Sequence, residues 1–492
     1  MTPAPPDILL VAVNARYSHC SYAARSLQAN LGALSGLARI LETDLDVTPF
    51  QLAGQIVGAK PRIVGFSVYL WNVRTVEATA RIVRAVAPGL RLVAGGPELT
   101  AGYAQAALFD AVIIGEGETA FRSLCESYLS QASYLRSPTS VLCAPPEDPS
   151  TLALPYALYT DADLAQRTVY AEASRGCPYA CAYCTSAQTG LRLLPLEKLL
   201  PALDRLWKRG LRRFKFLDRS FNAPVAHAAA VLDFFRARVT PDTRLHFEIN
   251  PDSLHDDVAA RIAAFPAGSL HLEAGLQTLN PAVAAAIGRS PDTRKTLSNL
   301  RFLTRGTGAA VHADLIFGLP GEDEASFGRG FHTVAADCAP QELQVNLLKG
   351  LPGTRLAREA AALGLAFSPE PPYELLRSDA MDFDALQRLQ RFARCWELVH
   401  NRSRFPRAVR ALHAAHRDDL FAAYQDLAAR VAGEEGRLFA IGLPRLGRLL
   451  REHLVGACGL PESEADALLS ADLNAKPAGF TPPETLPPSV KP

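Results

Sequence analysis

Four short, mainly apolar runs, Ile8 to Val13, Ile63 to Val68, Leu90 to Ala94 and Ala111 to Ile114, punctuate the amino-terminal part of the chain. Each is bounded by glycine, proline or a polar turn, the pattern of strands buried on both faces of a parallel sheet. Between them, Ser21 to Leu41 and Thr75 to Val86 have the length of helices. Strand and helix in alternation predict a doubly wound α/β sheet, with its ligand crevice at the carboxyl ends of the strands. The loops at those ends run Asn14 to His19, Ser67 to Asn72, Gly95 to Glu98 and Gly115 to Glu118. Glycine there lets backbone approach a bulky ligand, and small hydroxyl or amide groups can satisfy its polar rim.

Prolines 138, 145, 146, 149 and 155 then mark an extended connection. A first domain is therefore predicted over residues 1–135 and a proline-rich linker over 136–165. Alternation resumes with strands at Thr168 to Ala173, Phe214 to Asp218, Leu245 to Ile249, Leu270 to Leu276, Val311 to Phe317 and Leu343 to Leu348, a second domain over 166–375. Beyond it the apolar period becomes helical, clearest in Asp384 to Val399, which predicts a helical domain over 376–475. Residues 476–492 are proline-rich and expected to be disordered.

Composition narrows the class. With 492 residues, 48% hydrophobic and 21% charged, the chain can bury several full cores. A net charge of +1 gives no global field for nucleic acid or a membrane surface. No apolar run reaches the roughly 18 residues of a spanning helix, and the expected location is the cytoplasm. Nine cysteines are ordinary usage; Cys20, Cys125, Cys143, Cys338, Cys395 and Cys458 are scattered and read as small buried hydrophobes.

The remaining three, Cys177, Cys181 and Cys184, follow the first strand of the second domain. Gly176 and Pro178 shape their loop and Tyr183 precedes the last cysteine. A CxxxCxxC loop offers three thiolates to one inorganic cube and leaves one of its four irons open. Structural zinc would want two paired spacings, and no second CxxC or HxxxH lies nearby. A disulfide framework would want a secretory context, which is not expected here.

The pattern resembles the radical S-adenosylmethionine (SAM) superfamily. The resemblance implies a [4Fe-4S] cluster whose open iron is chelated by SAM, with electron transfer releasing a 5′-deoxyadenosyl radical. It implies a partial (β/α)6 TIM-type barrel with its chemistry at the carboxyl ends of the strands. It implies as well that SAM is met by Tyr183, by Asp218 and Arg219 after the second strand, and by Glu248 and Asn250 after the third. Glu273 and Gln277 lie in the fourth-strand motif, Gly318 in the fifth-strand glycine motif against which adenine stacks, and Lys349 at the exit of the sixth. Asp218 stands where many relatives carry Gly-Gly-Glu. His227, His246, His255, His271 and His312 lack paired ligand spacing and are assigned no metal.

The order of the amino-terminal loops resembles the Rossmann-like (flavodoxin-like) cobalamin-binding domain that precedes the cluster domain in one large radical SAM class. Cobalamin contacts are then implied for Arg16, Tyr17 and Ser18, for Ser67, Tyr69, Trp71 and Asn72, for Gly95, Gly96, Pro97 and Glu98, and for Gly115, Gly117 and Glu118. A scaffold or nucleotide role stays open, although no GxGxxG follows the first strand. His19 lacks the aspartate two residues before it and the glycine three after it that a cobalt-ligating loop would carry. A packing or hydrogen-bonding role is expected for it, with cobalamin bound without a histidine on its lower face. Pro372, Tyr373, the helix after Asp384 and Asn401 to Phe405 resemble a carboxyl-terminal domain of unknown function found in a subset of these proteins. Arg388, Arg391, Arg394, Arg402, Arg404, Arg407 and Arg410 make that region basic, but aromatics for base stacking are sparse and nucleic acid is not expected as a partner.

Along nearly the whole chain, the resemblance implies a cobalamin-dependent radical SAM C-methyltransferase acting on a small molecule or peptide. Its electrons would come from a partner such as flavodoxin or ferredoxin. Two other readings stay open: radical rearrangement or cyclisation without methylation, and a cobalamin-binding regulator whose cluster is structural.

Overall fold

The computed structural model describes residues 5–130, 138–188, 190–436 and 439–474, so the predicted disordered tail lies outside the described residues. Two parallel six-stranded sheets dominate it. The first holds β1 (Ile8–Asn14), β2 (Ala38–Asp44), β3 (Ile63–Ser67), β4 (Arg91–Gly95), β5 (Ala111–Ile114) and β6 (Ser140–Cys143), in the order β2-β1-β3-β4-β5-β6. Strand order reverses between β1 and β3, which opens a ligand crevice beyond their carboxyl ends. Every residue of β1 is buried, because helices cover both faces. Leu9, Val11 and Val13 face the side of Pro49–Ala59 and Val73–Val86, while Ile8, Leu10 and Ala12 face the side of Tyr22–Ala29 and Glu118–Ser130.

Two expectations change here. The stretch Ser21 to Leu41 is not one helix: it ends at Ala29, passes through a 3-10 turn at Gly32–Leu37 and becomes β2. Asn30 caps the helix with its N–H on the carbonyls of its last turn, and Gly32 at φ 58° then takes the left-handed conformation that opens the 3-10 turn. The proline-rich connection is not bare linker either. Ser140 to Cys143 pairs in parallel with β5, a 3-10 turn forms at Pro155–Leu158, and Thr160 caps a short helix, Asp161–Gln166, by a reciprocal hydrogen bond with Asp163. Prolines cannot donate to a ladder, which is why a strand beside them is an edge strand.

The second sheet is built from β7 (Val169–Ala171), β10 (Arg213–Phe216), β11 (Arg244–Ile249), β12 (Leu270–Gln277), β13 (Ala310–Phe317) and β14 (Glu342–Leu347). They lie side by side in chain order and all in parallel, an open barrel with β7 and β14 as its edges. Two small antiparallel ladders flank it, β8 (Ser174–Arg175) with β9 (Arg192–Leu193) and β15 (Ala366–Phe367) with β16 (Leu375–Arg377). Burial alternates strictly along β12: Leu270, Leu272, Ala274 and Leu276 are buried, while His271, Glu273, Gly275 and Gln277 stand partly open on the other face.

Five further helices follow, Phe383–Trp396, Pro406–Ala415, Leu420–Glu435, Leu443–Gly456 and Glu462–Leu473. They cover the open edge at β14: Trp396 Nε1 and Asn401 Nδ2 donate to the Leu343 carbonyl at 2.8 and 3.0 Å, and the Leu343 N–H donates to Asn401 Oδ1 at 3.2 Å. The N–H and carbonyl of Leu343 on this edge are thereby paired.

The two sheets are joined by a charge-balanced cluster. Arg25 meets Glu42 at 2.8 Å and Asp163 at 3.0 Å, and Arg167 meets the same carboxylates at 3.0 and 3.2 Å, all four side chains being at most 10% exposed. The Thr168 N–H donates to the Ser18 carbonyl at 2.7 Å, so the loop after β1 is fastened to the start of β7.

Candidate active site

The cysteine loop leaves β7 through β8 and turns at Gly176, whose φ is 75°. Asp218 fixes the loop's base, its carboxylate accepting from the Ala173 N–H at 2.9 Å and from the Ser174 hydroxyl at 2.5 Å. Burial pushes its acid up to about 7 against those two hydrogen bonds. On the far side, the Ala182 N–H donates to the Ile287 carbonyl at 2.9 Å. Gly288 comes so close that a Cβ there would stand 2.8 Å from the Ala180 carbonyl oxygen. Cys177 and Cys181 are 9% exposed and Cys184 is half-buried.

Among the described residues, these three thiols do not form a set whose donor atoms all lie within 4.8 Å of one another. Sulfurs around a single zinc at about 2.3 Å would do so. Ser220 Oγ lies 3.5 Å from Cys177 Sγ and the Ser186 N–H donates to Cys184 Sγ at 3.4 Å, and three thiols on one short loop are the donor set that suits a four-iron cluster with one iron left open.

Below the loop, a cavity is walled by the cysteines, Tyr179, Tyr183, Arg219, Ser220, Glu248, Ile249, Asn250, Glu273, Gly275, Gln277, Arg289 and Asp314. Arg289 is held rigidly: it donates to Asn250 Oδ1 at 2.8 Å, to the Gly275 carbonyl at 2.7 Å and to Asp252 at 3.0 Å. Arg219 reaches Glu248 at 3.4 Å with its side chain 54% exposed. Burial raises the Glu248 acid, and Arg219 opposes that rise. For Glu273 burial acts in the same direction but loses, because His246 donates to it at 3.0 Å and Lys215 stands 4.0 Å away, so its acid falls below the ordinary range. Two guanidinium groups and several carboxylate and amide acceptors on one wall suit an amino acid and a ribose, and Ile249 and Tyr183 give the apolar surface an adenine needs.

The crevice of the first sheet faces this cavity. Tyr69 and Trp71 stack with ring centroids 4.4 Å apart and planes at 8°, and the Tyr69 phenol lies within electrostatic range of Arg219. From the loop after β5, Glu116 and Glu118 grip Arg175, two residues before Cys177, at 3.1 and 2.7 Å, while Glu172 takes its Nε at 3.0 Å. The stacked indole and phenol, placed where the strand order reverses, offer a flat surface suited to a corrin.

Comparison with known families agrees with this geometry. A B12 binding domain is matched by residues 8–125, the radical SAM superfamily by residues 172–331, and a protein family of unknown function, DUF4080, by residues 361–435. The chain has the domain make-up of the cobalamin-dependent radical SAM family. Its cofactors are cobalamin, a [4Fe-4S] cluster and SAM. Among members with solved structures, the radical SAM methyltransferase TsrM from Kitasatospora setae, with cobalamin and cluster bound, is 18% identical, with a TM-score of 0.57 over 74% of this chain and 78% of that one. The cobalamin-dependent SAM radical enzyme OxsB with aqua-cobalamin is 12% identical, with a TM-score of 0.58 over 95% and 83%. These two likenesses establish the fold.

A 2-(S-pantetheinyl)-carbapenam-3-carboxylate methyltransferase from Streptantibioticus cattleyicolor is 27% identical over 348 residues, 64% of this chain and 51% of that protein. The ribosomal protein uS12 methylthiotransferase RimO from Chloroflexus aurantiacus is 27% identical over 171 residues, 32% and 37% of the two lengths. The chain thus spans about half, or less, of each curated relative.

Within this radical SAM enzyme, the expected SAM contacts divide. Tyr183, Arg219, Glu248, Asn250, Glu273 and Gln277 converge on the cavity with the three cysteines. Asp218 does not, since both carboxylate oxygens are turned into the body of the protein. Gly318, at φ 87°, is also outside the wall, its missing Cβ leaving room for Leu375 at 2.5 Å. Lys349 bridges by backbone to Glu374 and lies outside the wall too; burial lowers its pKa and Glu374 resists. Arg289 was missing from the expectation because it sits on a loop beyond a short helix, away from any strand end.

The cobalamin expectations divide in the same way. Asn72 is buried and uses its side chain on the Tyr69 N–H and on the Val13 and Ser67 carbonyls. Glu98 is buried and accepts from the Tyr373 hydroxyl at 2.5 Å; Glu118 accepts from Ser26 and Arg175. Gly96 and Gly115 have φ of 129° and 98°, and a Cβ would come within 2.2 Å of the Val68 oxygen or 2.7 Å of the Ala144 oxygen. These positions serve the protein's own backbone. Ser67, Tyr69, Trp71, Gly95, Pro97 and Gly117 stay at the crevice loops, as do Arg16, Ser18 and the 61% exposed Tyr17, over whose ring the Arg167 guanidinium sits at 5.1 Å. His19 points toward the barrel, stacking on Tyr170 and sharing a hydrogen bond with its hydroxyl through Nδ1. Of the six scattered cysteines four are buried, but Cys143 is exposed and Cys458 half-buried beside His416.

Proposed function

We propose that this protein is a methyltransferase that places a methyl group on an unactivated carbon of a polar small molecule or peptide. The observation that carries the reading is that Arg219, which walls the cavity with the three cysteines, also bears electrostatically on Tyr69, whose ring stacks on Trp71 at the end of the first sheet. When bound, the cluster and SAM supply the 5′-deoxyadenosyl radical and cobalamin carries the methyl group. Arg289 and Arg219 orient the carboxylate of the methionyl group, Asn250 and Glu248 receive the ribose and ammonium, and Asp218 keeps the cysteine loop in register. Similarity to a carbapenam methyltransferase supports methyl transfer over rearrangement.

The substrate enters the barrel face lined by Lys215, His246, His271, Glu273, His312 and Asp314. Buried atoms without a hydrogen-bond partner, His246 Nδ1 and His271 Nε2, favour a polar guest. Burial lowers His246 and His271, so they are neutral acceptors and donors at pH 7. Burial would lower His312 as well, but Asp314 and Glu342 reverse this and carry it to about 10. Electrons come from a flavodoxin or ferredoxin. Nucleic acid is not proposed as a partner; of the basic residues, Arg388, Arg402 and Arg407 pair with Glu324, Glu397 and Asp472. No described helix is long and apolar enough to cross a membrane.

Anaerobic turnover with candidate substrates, cobalamin, SAM and reductant tests the reading. Both 5′-deoxyadenosine and S-adenosylhomocysteine are expected in proportion to methylated product. Formation of 5′-deoxyadenosine with product but without S-adenosylhomocysteine would replace methyl transfer by rearrangement, and formation of neither would make the chain a regulator.

A further inference from the structure

Far from the cysteine cavity, the carboxyl-terminal helices bring together two histidines and a cysteine. His416 follows directly on Pro406–Ala415, His453 lies in the last turn of Leu443–Gly456, and Cys458 sits in the turn before Glu462–Leu473. One donor atom from each falls within 4.8 Å of the others, a convergence the described residues show for no other set of three histidines, cysteines or carboxylates. Cys458 Sγ is already 3.4 Å from His416 Nε2. The separation of two ligands across a tetrahedral zinc, with bonds of about 2.0–2.3 Å, is about 3.5 Å.

His453 gives a second, independent sign. It is 2% exposed, and its Nε2 has no hydrogen-bond partner. A buried imidazole nitrogen left without a partner is costly, and polar interiors normally satisfy such atoms. A Cys458 to His416 hydrogen bond alone would leave it orphaned, whereas a metal ion would take all three donors at once. Imidazole and thiolate donors select zinc over magnesium or calcium, which prefer oxygen.

We infer that His416, His453 and Cys458 form a zinc site with one exchangeable position, clasping the ends of two helices and the turn into a third. The half-buried His416 and Cys458 leave the fourth position to water. Sequence spacing conceals the site, because His416 comes from a separate helix and the His453 to Cys458 interval matches no paired motif.

The test uses the full-length, cobalamin- and cluster-loaded protein, stripped of loose metal with a chelator and then given Zn2+. The expected result is one zinc per chain with iron and cobalamin contents unchanged, and a zinc K-edge absorption spectrum showing two imidazoles and one sulfur. Cys458→Ser and His416→Asn, both at half-buried positions, should each weaken zinc by at least about tenfold. Zinc should raise the thermal midpoint of the wild type and not that of either variant. The inference is overturned if the wild type retains no zinc, if both variants retain it equally, or if the zinc shell contains three sulfurs and so belongs to the cysteine loop.

Discussion

The two six-stranded parallel sheets of this chain solve the same topological problem with opposite surfaces. In the first, β1 is buried at every residue and helices press on both faces, so the strands carry packing and only the loops at their ends can bind. In the second, β12 alternates, one face feeding the core and the other presenting His271, Glu273, Gly275 and Gln277 to an open interior. Ligand chemistry can therefore be written on the strands of the barrel. In the amino-terminal sheet the same residue types are often absorbed by the protein itself, as Asn72, Glu98 and Glu118 are.

Removing one cysteine is the largest break in this contrast. Cys181→Ala should abolish both the iron chromophore and SAM cleavage while cobalamin stays bound, measured by iron content, 5′-deoxyadenosine formation and corrin absorbance. Equal loss of cobalamin would mean that the two sheets do not hold separate sites.

Next comes the link between them. Arg175→Ala leaves the Glu172 and Glu118 carboxylates, 13% and 7% exposed, without their shared cation. Breaking a buried ion pair on one side costs about 3–5 kcal/mol, so a large drop in the thermal midpoint is expected. A shift within scatter of the wild type would show that the loop after β5 does not depend on the cysteine loop.

How much of this was legible before folding depended on which surface a residue joins. Strands of the first sheet are mainly apolar runs and those of the barrel alternate apolar with polar residues, so ten of them could be read directly, from Ile8 to Val13 through Leu343 to Leu348. β2 could not, because Arg39, Glu42 and Asp44 give this edge strand a polar look and it continues the helix-like pattern from Ser21. β6 was hidden by neighbouring prolines. The cysteines announce themselves by spacing, but residue type does not say which way a side chain turns. Asp218 and Arg219 are neighbours, yet one anchors backbone and the other reaches the cavity. Arg289 and Arg175 were invisible, since their partners come from distant segments.

A finer comparison lies within one loop of the first sheet. Gly96→Ala should destabilise by about 2 kcal/mol, since φ is 129° and the Val68 oxygen would stand 2.2 Å from the new carbon. Gly95→Ala meets nothing nearer than 3.8 Å and should be almost neutral. Equal denaturant midpoints for the pair would remove the argument that Gly96 serves the backbone.

The smallest effect is a pH slope in the barrel. Burial raises Glu322 from 4.5 to about 7, although the Thr278 hydroxyl, donating at 2.6 Å, draws it down. The folded state then binds the extra proton, so this group's stabilisation is complete below pH 4.5 and is lost as pH rises through about 7. Glu322→Gln should flatten that part of the curve, by at most about 1.4 kcal/mol per pH unit. An unchanged slope in thermal melts from pH 5 to 8 would place the titration elsewhere.

The central claim is a four-iron cluster on Cys177, Cys181 and Cys184 whose remaining iron opens on the cavity walled by Arg219 and Arg289. Mössbauer spectroscopy of anaerobically reconstituted protein, before and after SAM, tests it most directly. One cluster per chain is expected, with one iron in four changing its signal when SAM is added. Absence of a four-iron cluster, or a spectrum indifferent to SAM, would contradict the account.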